Sequence, residues 1–238
     1  MERINKKLVM LGIASRRNAD KMILDNRVEI NEKLAVLGDK VSENDVIKVD
    51  GRIVKNEKKI ILAYNKEKGV ICTESSKEKN IKISDKIKNF GFDKRLFTIG
   101  RLDKDTTGLI FITNDGDLAR KITNSNNNYE KEYEVRVNKP IDDNFIKQIE
   151  EGIFLNDILK KTKPAKIVLL NDEKYRFRIV ITEGLNRQIR RMCKELGFRV
   201  VSLKRVRIIN YKLGNLKQGE YKIIKEEDIF YDKKRSNK

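Results

Sequence analysis

The chain has 238 residues, of which 54 are Lys or Arg and 36 are Asp or Glu, so its formal net charge is +18. This positive excess favours a polyanionic partner such as nucleic acid over mere compositional drift, and no apolar run approaches the length of a membrane span or a signal peptide. The absence of His and the wide separation of the two cysteines, Cys72 and Cys193, exclude His-dependent nucleophile pairs and a cysteine zinc site.

Residues 1 to about 50 are predicted to form a compact unit of short helices and strands. A first apolar helix ends at Gly12, and Ser15 can then cap a second helix. The apolar side of this second helix is predicted to carry Ala19, Met22, Ile23 and Leu24. Its opposite side carries Arg16, Arg17 and Lys21, a pattern typical either of a solvated surface or of an RNA contact. Short strands follow at 28–30 and 46–49, beside turns at 31–32 and 50–51.

This unit resembles the S4 RNA-binding module. The resemblance is carried by Gly12-Ile13-Ala14-Ser15-Arg16-Arg17 and by the closing strand Asn44-Asp45-Val46-Ile47-Lys48-Val49. Asn26, Glu32 and Asn44 stand where the module usually has glycine, and Asn tolerates positive φ better than most residues. The resemblance implies an S4-like domain over residues 1–58 that contacts RNA through Arg16, Arg17 and Lys21.

The next segments are predicted to be strands at 60–64 and 70–72, followed by a polar loop with a short helix over 73–94. A strand from Leu96 then gives way to a turn near Asp103, and an apolar strand covers 109–112. Because side chains two apart on a strand share a face, we expect Arg101 and Asp103 to project together. An ordinary loop salt bridge is the plainer interpretation.

Asp103 is nevertheless the candidate nucleophile. Without His, the chemistry of this chain must depend on carboxylates, Tyr, Lys or Arg. An Asp is ionised at neutral pH without assistance, a neighbouring Arg favours that state, and an ionised carboxylate can attack carbon directly. A tight turn over 113–117 with a helix starting at Asp117 follows this segment.

Tyr133 lies in a segment, 130–137, that alternates polar and apolar residues with period two. This pattern predicts a strand with Tyr133 facing inward beside Val135 and Val137. An inward Tyr is either part of the core or a surface on which a nucleotide base can stack.

A third segment predicts a strand over 175–181, a turn through Gly184, and a helix from Arg187 to Leu196 with Asn186 as N-cap and Gly197 after its end. Its apolar side is formed by Ile189, Met192, Cys193 and Leu196. Its other side carries Arg187, Arg190, Arg191 and Lys194, whose mutual repulsion favours contact with RNA phosphates. A basic strand over 203–208 and a closing hairpin over 213–221 complete the chain, with a basic disordered tail over 232–238.

Four motifs in order resemble the RsuA-type pseudouridine synthases, most closely their RluF branch. They are Gly100-Arg101-Leu102-Asp103-x-Asp105-x-x-Gly108-Leu109, Thr113-Asn114-Asp115-Gly116, Glu132-Tyr133, and Gly184-x-Asn186-Arg187-Gln188-Ile189-Arg190-Arg191-Met192. The resemblance implies an α+β protein in which the S4 module precedes a catalytic domain, residues 59–231, with a mixed, largely antiparallel sheet flanked by helices. Glu67 departs from the family, which usually has Pro there.

The resemblance also implies roles for individual residues. Asp103 becomes the nucleophile, Arg101 helps to hold the target uridine out of its helix, Tyr133 stacks on the uracil and Arg190 pairs with Asp103. Ile189 and Leu203 line the pocket, and the further RNA contacts are Lys104, Gly184, Asn186, Arg187, Arg191 and Lys194.

The resemblance therefore implies an enzyme that isomerises uridine in ribosomal RNA, most closely in the 23S rRNA that the RluF branch modifies. The enzyme is expected to be a cytoplasmic monomer that needs neither metal nor cofactor. Three alternatives remain open at this point. The first is a non-catalytic S4-type RNA-binding protein of ribosome assembly, and the second is the same enzyme acting on 16S rRNA or tRNA. The third is a hydrolase that uses Asp103 with Asp105.

Overall fold

The computed structural model describes residues 1–54, 58–72, 81–170 and 174–231. The elements in the first of these ranges are β1 (Glu2–Arg3), α1 (Ile4–Met10), α2 (Arg16–Leu24), β2 (Val28–Ile30), β3 (Lys33–Leu34), β4 (Lys40–Val41), β5 (Ile47–Val49) and β6 (Arg52–Ile53). The two helices pack together beside a small antiparallel sheet with strand order β3-β2-β5-β6, and β1 pairs with β4.

Helix α2 begins as the sequence predicts, because the Ser15 side chain accepts a hydrogen bond from the backbone N–H of Asn18 at 3.3 Å. Ala19 and Ile23 are buried against α1, but Leu24 is 66% exposed and does not belong to the apolar side. The four residues predicted for this side fall within six consecutive positions, 19–24. They cannot all share one narrow face, since each residue advances by about 100° around the helix axis. The predicted turns are confirmed, with Glu32 and Asp50 both at positive φ.

The rest of the described chain forms a sheet of nine strands with helices on both faces. The elements are β7 (Ile61–Lys66), α3 (Ile83–Lys88), β8 (Phe97–Ile99), β9 (Thr106–Thr113), α4 (Gly116–Thr123), β10 (Lys131–Val137), α5 (Asp143–Glu151), β11 (Phe154–Leu155), β12 (Lys160–Lys161), β13 (Lys166–Leu169), β14 (Arg176–Ile181), α6 (Gln188–Glu195), β15 (Val200–Ile208), β16 (Tyr211–Lys212), β17 (Tyr221–Ile223) and α7 (Glu226–Phe230).

The strand order of this sheet is β13-β14-β10-β15-β9-β7-β17, with β16 beside β15 and β8 beside β9. Its named pairs are antiparallel except β9 with β15, which run parallel. The predicted α+β class with a mixed, largely antiparallel sheet is therefore confirmed. The separate two-stranded pair β11–β12 lies against α6.

Two hydrophobic cores lie on the two faces of the sheet. Alternation along β9 divides them, since Ile110 and Ile112 join the core under α3, α5 and α6 whereas Leu109 and Phe111 join the core under α4 and α7. Helix α6 contributes Ile189, Met192 and Cys193 to the first core, as its predicted apolar stripe requires.

Two predicted elements are wrong. Residues 70–72 form no strand, and Ile71 makes a single bridge to Lys82. Residues 213–221 are not a hairpin, because β16 pairs with β15 whereas β17 crosses to the opposite edge and pairs with β7. Turn-forming residues predict a change of direction but not the strand that the chain joins next. The predicted tail, 232–238, and residues 73–80 of the predicted loop lie outside the described residues.

The described part of the chain has no helix that combines the length and the apolar character needed to span a membrane.

Candidate active site

A cleft of about 510 Å³ opens where the parallel pair β9–β15 meets the β8–β9 loop and the turn before α6. Nine of the predicted site residues line it: Arg101, Asp103, Lys104, Tyr133, Gly184, Asn186, Arg187, Ile189 and Leu203. These residues come from four separate parts of the sequence, and the sheet topology brings them together.

Asp103 lies in the β8–β9 loop, with its side chain 30% exposed to the cleft. Strand β8 ends at Ile99 and Gly100 has a φ of +74°, so Arg101 and Asp103 do not share a strand face as predicted. Both nevertheless line the cleft, because the loop turns them there. Leu102 is buried between them, and the backbone N–H of Thr106 donates to the carbonyl of Asp103 at 3.1 Å. These contacts hold the carboxylate on a defined turn.

The cation that lies beside the Asp103 carboxylate is Arg187, with Nη1 4.0 Å from Oδ2. The expected partner, Arg190, instead donates from Nη2 to the carbonyl of Asp105 at 3.1 Å and from Nη1 to that of Val200 at 3.4 Å. Burial lowers the pKa of the Arg190 guanidinium, and the nearby Arg187 lowers it further. Arg190 therefore holds the backbone of the Asp103 loop in place. Arg187 is the residue that lies at ion-pair distance from the Asp103 carboxylate.

Tyr133 lies on β10 and is 8% exposed, with Val135 and Val137 buried on the same face. The predicted inward orientation of this strand is confirmed. Its Cα partner on β15 is Arg205, and both side chains line the cleft. Tyr133 thus belongs to the core and to the cleft wall at once, which gives the cleft a rigid aromatic side.

The turn that leads into α6 is held by two residues that the sequence analysis did not single out. The buried Gln188 side chain accepts from the backbone N–H of Leu185 at 3.0 Å and donates to Glu183 Oε1 at 2.8 Å. Glu183 Oε1 also accepts from the backbone N–H of Lys163. Helix α6 begins at Gln188, and the residue before it is Arg187 in the left-handed region, so the predicted N-cap Asn186 is wrong by one position.

The basic side of α6 is less uniform than predicted. Arg191 Nε lies 3.0 Å from Asp157 Oδ2, an acid in the β11–β12 turn that sequence spacing along the helix could not reveal. Arg190 is half-buried over the backbone, whereas Lys194 is exposed. Of the four predicted cations, Lys194 is therefore the cleanest test of a phosphate contact, because its charge is not engaged by Asp103, Asp157 or these carbonyls.

Replacing Lys194 by Gln is expected to flatten the salt dependence of RNA binding, with a change in slope of about 0.7 to 0.9. The reason is that each neutralised phosphate releases counterions when the RNA binds. The measurement is the dissociation constant over a series of salt concentrations. The exposed Lys222 on the edge strand β17 gives a matched control, and an unchanged slope in Lys194→Gln would show that this side chain is simply solvated.

Further cations surround the cleft that no sequence motif pointed to. Lys131, at the start of β10, and Arg205, on β15, both line it. Burial lowers the pKa of the Lys131 ammonium, and the adjacent Arg205 acts in the same direction. With Arg101, Lys104 and Arg187, these side chains make the surroundings of Asp103 strongly basic. The one signal in the sequence for Arg205 was the alternation along β15, which places Arg205 on the same face of the strand as Leu203.

Three predicted RNA contacts lie outside this arrangement. Arg16, Arg17 and Lys21 are exposed on α2 and do not line the cleft, so their expected role is RNA contact elsewhere.

The two cysteines lie in different surroundings. Cys193 is buried in the core as predicted, but Cys72 is half-buried in the cleft wall, where burial raises the pKa of its thiol. Among the residues that the structure describes, His, Cys, Asp and Glu form no group of three or more able to hold a metal ion.

A helical RNA-binding module followed by a mixed sheet, with a carboxylate and an aromatic ring inside a basic cleft, defines an enzyme that acts on RNA. Comparisons with known proteins agree. The model of the family described as RNA pseudouridylate synthase matches residues 60–195, and that of the S4 domain matches residues 2–47. The chain belongs to the RNA pseudouridylate synthase family and is an RNA pseudouridine synthase with an S4 domain.

Relatives of this chain match it over nearly its whole length. It is 42% identical to Dual-specificity RNA pseudouridine synthase RluF of Salmonella typhi, covering 95% of this chain and 77% of that protein. It is 34% identical to Ribosomal large subunit pseudouridine synthase B of Bacillus subtilis, covering 96% and 94%. A crystal structure of a pseudouridylate synthase superposes with a TM-score of 0.69 at 30% identity, covering 96% and 98%.

Proposed function

We propose that this enzyme converts a specific uridine of large-subunit ribosomal RNA, 23S rRNA, to pseudouridine, with Asp103 as the nucleophile. Residues 1–58 bind the RNA and residues 59–231 carry the catalytic cleft. The Bacillus subtilis relative is named a ribosomal large subunit pseudouridine synthase, which supports the large subunit as the source of the substrate. We further propose that the active unit is a monomer.

The observation that carries this proposal is the position of the Asp103 carboxylate, which faces an open cleft beside Tyr133 and several cations. A uridine inside an RNA helix cannot reach such a carboxylate, so the nucleotide must leave its stack. This costs a few kcal/mol, which contacts to basic and aromatic groups offset. Arg101 and Lys104 are exposed at the rim and suit the RNA backbone, while Tyr133 forms a ring surface deeper in the cleft.

The chemistry requires no change of redox state. The Asp103 carboxylate attacks C1′ of the extruded nucleotide while the N1–C1′ glycosidic bond breaks and leaves its electron pair on N1. The uracil then turns, and C5 bonds to C1′ as the carboxylate leaves. The hydrogen on C5 departs as a proton and N1 takes up a proton, so that the product is an isomer of the substrate. Arg187, 4.0 Å from Asp103, stabilises the carboxylate before the attack and after the product forms.

Mapping pseudouridines in the ribosomal and transfer RNA of cells that lack this enzyme tests the substrate. We expect one or a few pseudouridines of 23S rRNA to disappear and to return when the parent gene is restored. If the missing modification lies instead in 16S rRNA or tRNA, the assignment to the large subunit is wrong. If every pseudouridine is retained, the proposed substrate class as a whole is contradicted.

A further inference from the structure

Two polar groups in the floor of the cleft are buried without a hydrogen-bond partner among the described residues. They are Nη2 of Arg205 and Oγ1 of Thr106, whose residues are 4% and 2% exposed. Both residues line the cleft. A buried donor or acceptor that lacks a partner costs about 1 to 3 kcal/mol, so two such groups side by side indicate that a ligand completes them.

The sheet places these two residues on the same face of neighbouring strands. In the parallel pair β9–β15, Leu203 is the Cα partner of Thr106, and Arg205 that of Gly108. Paired residues and residues two apart project from the same face, so Thr106, Leu203 and Arg205 form one surface. Arg205 Nε donates to the carbonyl of Leu109 on β9 at 2.7 Å, and this bond fixes the guanidinium while Nη2 has no partner among the described residues.

This surface lies directly beside the reacting carboxylate. Thr106 is the last residue of the turn that begins at Asp103, closed by the 3.1 Å hydrogen bond between them. Arg205 is the Cα partner of Tyr133 on the other side. A base that stacks on Tyr133 with its sugar near Asp103 therefore has its edge within reach of Arg205 and Thr106.

We propose that Arg205 selects uracil and that Thr106 binds N3 of the base beside it. Arg205 Nη2 donates to the O4 carbonyl of uracil, and the Thr106 hydroxyl accepts from N3–H. Cytosine presents an amino group in place of O4, so Arg205, which is only a donor, would face another donor, whereas the Thr106 hydroxyl could turn and donate to the bare N3. The proposal rests on the proposed function, because it requires the uridine to enter this cleft.

Replacing Arg205 by Gln and Thr106 by Val tests the two contacts separately. We use a fragment of the RNA that contains the mapped uridine and a second fragment with cytidine in its place. Dissociation constants are measured for both in the Asp103→Asn background, which prevents turnover. The ratio of the cytidine to the uridine constant isolates recognition of the base edge. We expect Arg205→Gln to lower this ratio about three- to tenfold, because the Gln amide can accept from the cytosine amino group as well as donate to O4. Thr106→Val should weaken binding of both fragments and leave the ratio unchanged.

The matched control is Thr113→Val on the same strand. The Thr113 hydroxyl donates to the carbonyl of Ile60 at 2.6 Å and accepts from the backbone N–H of Asp115 at 2.9 Å, so it is fully used inside the protein. Thr113→Val should lower the denaturation midpoint and leave the affinity for both fragments unchanged, whereas Thr106→Val should weaken binding of both fragments and leave the midpoint unchanged or raise it.

Three results would overturn the proposal: an unchanged ratio in Arg205→Gln, the same affinity for both fragments in Thr106→Val as in the Asp103→Asn background alone, or a loss of stability in Thr106→Val equal to that of Thr113→Val. Failure of the proposed function is seen separately. It would appear as absence of pseudouridine formation when the enzyme with its native Asp103 acts on the uridine fragment.

Discussion

Replacing Asp103 by Asn is expected to lower the rate of uridine isomerisation by about 10⁴-fold or more while RNA affinity stays within a few-fold of the parent. Asn has the size of Asp but a neutral amide that does not attack carbon. The loop should keep its conformation, because Leu102 is buried and the carbonyl of Asp103, not its carboxylate, closes the turn to Thr106. The measurement is tritium release from RNA labelled at C5 of uracil, together with the dissociation constant of the same RNA.

Asp105→Asn is the matched control. It removes one negative charge from the same loop, but the Asp105 side chain is exposed and the backbone carbonyl of this residue is what Arg190 contacts. We expect this variant to lose no more than severalfold activity. Equal tritium release by Asp103→Asn and the parent would end the nucleophile assignment, and no release from either would favour an RNA-binding protein without chemistry. Loss of activity in both variants would show that Asp105 also takes part in the reaction.

Replacing Gly108 by Ala is expected to lower the free energy of unfolding by about 2 to 4 kcal/mol. Gly108 has a φ of +102°, which strains any residue with a side chain. In addition, a Cβ atom there would overlap the carbonyl oxygen of Arg205 and would lie 2.8 Å from its backbone nitrogen, inside the β9–β15 ladder. Backbone on a paired strand cannot move aside as the end of a flexible side chain can. The measurement is the urea denaturation midpoint and its slope.

Gly116→Ala serves as the control for Gly108→Ala. Gly116 is the first residue of α4, its φ is not positive, and a Cβ atom there meets nothing within 4 Å. This variant should be neutral or slightly more stable, since Ala favours a helix over Gly. If both alanine variants unfold at the same urea concentration, the close approach of β9 and β15 at Gly108 does not matter for stability. Where Gly108→Ala still folds, it should also lose activity, because Arg205 and Leu203 line the cleft on the displaced strand.

Sequence alone determined much of this protein because many of its signals are local. Ser15 at the start of α2, Gly197 after α6 and the alternation through Tyr133 each depend on neighbours within a few residues, and each was predicted correctly. The motif around Asp103 pointed to the family in the same way, since its residues adjoin one another along the chain.

Only the tertiary structure decided which side chains meet. Arg187 lies 4.0 Å from the Asp103 carboxylate, whereas Arg190 donates to the backbone carbonyls of Asp105 and Val200. Asp157 neutralises Arg191 from a turn more than thirty positions away. Arg205 reaches the carbonyl of Leu109, and shares a sheet face with Thr106, only through the parallel pairing of β9 with β15, strands about 100 residues apart. Periodicity and capping depend on residues that are neighbours along the chain. Strand order and register follow from burial of the whole sheet, and no short segment of the sequence is enough to predict them.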